Sequence, residues 1–156
     1  MKTKMPKDWF GRSKSIEELH HDSRNWLSEI EFINYEMTFL NKLLSSNYID
    51  LLDSGYDKHI KELVNKIVIE KKSGNALSKL ILEHEKVLSD LIQTNSVTSN
   101  KNYLETHKKF EIEIIIFLGR YKELKMEIFK IIERTMRKKG QKKFPKAKKI
   151  LIIDKK

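Results

Sequence analysis

The 156-residue chain has no cysteine, only two prolines and only five glycines. Without cysteine there is no disulfide, no thiolate metal ligand and no cysteine nucleophile. Both prolines, Pro6 and Pro145, lie near the ends, and the long interval between them contains none. Proline costs roughly 3 kcal/mol inside a helix, so that interval permits long helices. Long hydrophobic runs are missing as well. The longest, Ile114 to Gly119, is far too short to span a bilayer. The N-terminal stretch lacks the apolar core of a secretory signal. A soluble, cytoplasmic protein with no transmembrane segment is the expectation.

What is abundant is charge. Charged residues make up 35% of the chain and hydrophobic ones 39%, enough apolar material for a core at this length. The formal net charge of +10 is unevenly placed. Residues 1–14 form a basic arm of net +4, and residues 137–156 a basic tail of net +9. The body, residues 15–136, holds 17 basic and 20 acidic residues, net −3.

The body reads as three long helical patterns. The first opens at Ser15-Ile16-Glu17-Glu18, a capping box with Ser15 as N-cap and Glu18 reaching back. Apolar residues then recur at Ile16, Leu19, Trp26, Ile30, Ile33, Met37, Leu40 and Leu44, with Ser23 on the one vacant beat. Alternating steps of three and four mark a heptad seam. Asp53-Ser54-Gly55 reads as a turn.

The second pattern runs from about Asp57 to Gln93, with Glu70, Gly74 and His84 interrupting its apolar seam. The third runs from about Tyr103 to Arg137. Its seam is Leu104, His107, Glu111, Ile114, Leu118, Tyr121, Lys125, Ile128 and Ile132, widened by Phe110, Phe117, Leu124 and Ile131. Gly140 and Pro145 predict its end near Lys139. The fold expected is all-α: an elongated, antiparallel up-down-up three-helix bundle, coiled-coil-like. The alternative is a four-helix bundle with a break near Gly74.

Reflecting antiparallel seams about the loops predicts which residues meet. Gly74 should face Ile33 and Tyr121, whose ring would fill the space left by the missing side chain. Glu70 should face Lys125, an opposite-charge pair able to fix register.

Two candidate sites emerge. One is a polar end of the bundle where His84, His107 and Glu111 interrupt the seams, with His20 nearby. His20, His84, His107 and Glu111 are the residues a metal would use, and His107 with Glu111 is an i, i+4 pair on one helix face. Glu17-Glu18-Leu19-His20 supplies one Glu-x-x-His motif, whereas carboxylate-bridged metal pairs in bundles use two. Hydrogen-bonded structural histidines are the alternative reading. No catalytic residue and no cofactor is assigned. There is no Gly-rich phosphate loop.

The other candidate is the basic tail, with Arg137, Lys138, Lys139, Lys142, Lys143, Lys146, Lys148 and Lys149 poised for an anionic partner. Trp9, Phe10 and Phe144 add rings able to stack on bases. No sequence-specific DNA-reading motif is present. Ile150-Leu151-Ile152-Ile153 is an apolar tetrad of high strand propensity that is costly to leave exposed; docking on the bundle, pairing with another chain and binding a partner are the alternatives. The function expected is a non-enzymatic helical interaction protein that binds an acidic macromolecule, nucleic acid or an acidic protein, through its basic termini. The broad apolar face of the third helix makes a homodimer a further expectation. The alternative function is a bundle with a metal-binding or catalytic His/Glu site.

Overall fold

The computed structural model describes residues 14–97 and 100–143, with only the backbone for residues 139 and 141–143. Four helices pack against each other: α1 (Ile16–Ser46), α2 (Tyr48–Asp53), α3 (Asp57–Gln93) and α4 (Lys101–Lys143). No strand occurs among the described residues, and no helix there is long and apolar enough to cross a membrane.

The helix ends follow local chemistry. At the start of α1 the Ser15 amide donates to Glu18 Oε1 at 2.8 Å, and the Glu18 amide donates to Ser15 Oγ at 3.2 Å. This is the expected capping box. The Asn100 side chain accepts from the Tyr103 amide at 2.8 Å and caps α4. Residues 48–53, where the first pattern fades, form the separate short helix α2, whose Leu51 is fully buried. Gly55 then takes the left-handed conformation (φ 84°) that reverses the chain. The fourth helix therefore does not arise from a break near Gly74, because α3 passes through that residue.

The described residues form two compact units, one from 14–35 and Lys71–Gly119, the other from Glu36–Glu70 and 120–143. In the first unit, Leu19, Leu88, Val97 and Tyr103 pack at one level. At another level Ile30, Gly74 and Phe117 meet. A Cβ on Gly74 would lie 3.1 Å from Phe117 Cζ and 3.4 Å from Ile30 Cγ2. The glycine thus makes room for a ring, but the ring is Phe117 and its α1 neighbour is Ile30, a correction of one step to the expected Tyr121 and Ile33.

In the second unit the core comprises Met37, Leu40, Leu44, Leu51, Ile60, Leu63, Ile67, Tyr121, Leu124, Ile128, Ile131 and Ile132. Glu70 is 9% exposed and takes a two-point contact from Arg120: Nε donates at 2.9 Å and the second nitrogen at 3.3 Å. Lys125 instead donates to both oxygens of Glu36 at 3.0 Å, and Tyr121 Oη donates to the same carboxylate at 2.6 Å. The expected Glu70–Lys125 pair is thus replaced by two separate pairs.

Both corrections share a cause. The buried line of α4 runs Tyr103, His107, Phe110, Ile114, Phe117, Tyr121, Leu124, Ile128 and Ile131, while Leu104, Glu111, Leu118 and Lys125 are only half-buried. Turning the helix this way puts the rings of Phe110 and Phe117 inside. Each large ring buries more apolar area than the residue it displaces from the seam, and the charged heads of Glu111 and Lys125 reach water.

Candidate functional site

The polar layer of the first unit is built by three helices. On α1, Ser23 is fully buried on the vacant beat of the seam, Trp26 lies one turn later, and Asp22 sits beside the seam, half-buried. On α3, His84 takes a seam position and is 5% exposed. On α4, His107 takes a seam position and is 3% exposed, with Tyr103 and Phe110 one turn to either side.

These groups form one continuous line of polar contacts. His84 Nε2 lies 2.8 Å from His107 Nδ1. His107 Nε2 lies 2.9 Å from Asp22 Oδ2. Lys14 Nζ donates to the same oxygen at 2.6 Å and reaches Glu111 Oε2 at 3.5 Å. Aromatic rings close the sides. Tyr103 stacks on His84 with centroids 4.2 Å apart and planes 5° from parallel. Phe110 presents its edge to His84, and Trp26 lies 4.7 Å from His107.

Proton placement follows from the donor inventory. An ionised Asp22 only accepts, so His107 Nε2 carries a hydrogen. The His84–His107 contact then holds a single proton between two nitrogens. Burial, with the nearby His107 adding to it, pushes His84 down to about 4, so this imidazole is neutral at pH 7. Burial pulls Asp22 upward, but its hydrogen bonds from His107 and Lys14 and the Lys14 charge outweigh that, and the carboxyl ends below its usual range. Tyr103 is driven well above the usual phenol range by burial and by the carboxylates of Glu85 and Asp22. Three buried polar atoms at this end, Ser23 Oγ, Glu85 Oε1 and Tyr103 Oη, have no hydrogen-bond partner among the described residues.

Of the residues expected to hold a metal, His84 and His107 are brought together, but their nitrogens face one another across a proton. Glu111 does not meet an imidazole; its contact is with Lys14. His20 is exposed and pairs through Nδ1 with Glu85 at 2.9 Å. No group of three or more His, Cys, Asp or Glu among the described residues is arranged to hold a metal ion.

The sequence reading missed Asp22, which does the work assigned to Glu111. Asp22 flanks the seam, so pairing seam positions across helices does not reach it. The signal was Ser23 next to it. One small residue in a line of large ones marks where α1 admits side chains from its neighbours.

At the other candidate site, α4 does not stop near Lys139. It continues through Gly140 to Lys143. Arg137 donates to Glu133 at 2.8 Å along the helix, and Lys138 Nζ lies 5.2 Å from the centre of the Tyr56 ring. Lys139, Lys142 and Lys143 occupy the last turns of the same helix. Lys146, Lys148 and Lys149 lie outside the described residues, as do Trp9, Phe10, Phe144 and the Ile150–Ile153 tetrad. Compared with known proteins, the chain matches no family model, no curated protein and no solved structure.

Proposed function

We propose that this chain is a non-enzymatic helical interaction protein, cytoplasmic, that binds an anionic macromolecule through its basic termini, nucleic acid being the leading class. The observation that carries the reading is the continuation of α4 to Lys143. Arg137, Lys138, Lys139, Lys142 and Lys143 are thereby held on a helix of known rise, about 1.5 Å per residue, instead of a free tail. Positions 134, 138 and 142 are Arg, Lys and Lys, spaced i, i+4 along the backbone. Lys146, Lys148 and Lys149 extend the same charge. The net −3 body cannot neutralise a +9 segment, so that segment is the natural seat for phosphates or carboxylates.

We read the fold behind it as an up-down-up bundle of three long coiled-coil-like helices, with α2 closing the first turn. A second copy is a further partner in this reading, since α4 exposes Ile112, Ile115 and Ile116 away from its buried line. The His84–His107–Asp22 line is structural in this account, because aromatic rings enclose it.

The experiment compares three ligands of matched charge: duplex DNA, single-stranded RNA and a polyglutamate peptide. Binding is read by anisotropy at low salt on the full chain. The proposal expects nucleic acid to bind tighter than polyglutamate. Equal or tighter binding of polyglutamate points to an acidic protein. No binding of any of them contradicts the reading.

A further inference from the structure

The second unit carries an open groove of about 590 Å³ between the end of α1 with α2 and the start of α3. Its walls are Leu44, Tyr48, Ile60, Val64 and Val68, with Asn41, Ser45, Lys61 and Asn65 on the rim. Tyr48, Val64 and Val68 are exposed there. From this we propose that the groove is the docking site of the chain's own Ile150–Ile153 segment.

Four features of the molecule favour that occupant. The first is length. From Ile60 to Val68 the α3 wall runs about 12 Å at 1.5 Å per residue, and four extended residues span about 13 Å. The second is reach. Lys138 Nζ sits 5.2 Å from the Tyr56 ring centre, so the last turns of α4 lie beside the start of α3, four residues before Ile60. The seven residues from Lys143 to Ile150 cover up to about 23 Å when extended, enough to round that end and enter the groove. The third is charge. Asp53 and Asp57 are exposed at the α2–α3 junction, where Lys146, Lys148 and Lys149 would pass. The fourth is chemistry. The tetrad is the one apolar block beyond α4, and docking removes it and the groove wall from water together.

The absence of native cysteine makes the test clean. Val64 or Val68 is replaced by cysteine and combined with Leu151→Cys or Ile152→Cys, which sample both edges of an extended segment. The control combines Ile112→Cys, on the exposed face of α4, with the same tail cysteines. Val64, Val68 and Ile112 are exposed, so the core is untouched, and circular dichroism checks the fold. Mild oxidation of the full chain should give an intrachain disulfide in at least one groove pair, tenfold or more faster than in the control. Disulfides chiefly between two chains would assign the groove to a second copy and overturn the proposal. Groove pairs no faster than the control would overturn it as well.

Discussion

His84 Nε2 and His107 Nδ1 lie 2.8 Å apart inside the first unit, and one proton serves both nitrogens. Burial of His84, with His107 beside it, makes stability depend on pH. His84 titrates at about 4 in the folded chain, against 6.5 as the ordinary value. Between those values the unfolded chain binds the extra proton, so stability is complete above about pH 6.5 and falls as pH drops toward 4. The full loss is about 3 kcal/mol at 1.36 kcal/mol per pH unit. Urea unfolding followed from pH 7.5 to 4.5 should show this decline. His84→Gln should flatten it. Asp22, whose carboxyl is held below its ordinary value, stabilises the fold fully above that value and loses this contribution only as pH falls below it and the carboxylate is protonated.

Asp22, not Glu111, anchors the imidazole. Asp22→Asn should destabilise the fold by about 1–3 kcal/mol, because a charge-assisted bond to a buried His107 is lost. Glu111→Gln should change stability by less than about 0.5 kcal/mol, since its contact with Lys14 is long and partly exposed. The two midpoints in a denaturant titration check the ranking.

Much of the fold was legible because the seams of α1 and α3 are unambiguous. On α3 every third or fourth residue from Ile60 to Leu88 is buried, including Glu70, Gly74 and His84. On α4 two apolar lines run side by side, and a sequence does not say which faces inward. The difference is a rotation of the helix by a fraction of a turn. It was decided by fitting Phe117 against Gly74, a contact between residues 43 positions apart. The same rotation exchanged Glu111 for Asp22 as the histidine's partner and split the expected Glu70–Lys125 pair. The continuation of α4 past Lys139 has a different cause. A Cβ at Gly140 would meet nothing among the described residues, so no packing contact forces a break there, and a single glycine costs a helix only about 1 kcal/mol.

The two mid-helix glycines should respond in opposite directions. At Gly119 nothing lies within 4 Å of the place a methyl group would take, so Gly119→Ala should stabilise by about 0.5–1 kcal/mol through helix propensity. Gly74→Leu must displace the Phe117 ring and should destabilise by about 1–3 kcal/mol. Thermal melting of the two variants distinguishes them.

Glu70 is nearly buried and relies on Arg120 for both oxygens. Arg120→Ala should lower stability by about 1–2 kcal/mol, because it strips the carboxylate of its charged partner while Arg120 itself is half-exposed. Adding Glu70→Leu should recover most of that loss, since the leucine needs no partner at a seam position. A double-mutant cycle by chemical denaturation measures the recovery.

The central claim is that the basic end of α4 and the residues after it hold a polyanion. Its most direct measurement is the salt dependence of duplex DNA binding by the full chain, beside a variant with Lys138, Lys139, Lys142 and Lys143 changed to Gln. With about six phosphate contacts, log K should fall against log salt with a slope near −5, and the variant's slope should lie near −2. Helicity should be the same in both proteins. Equal affinity and equal slope for the two would contradict the claim.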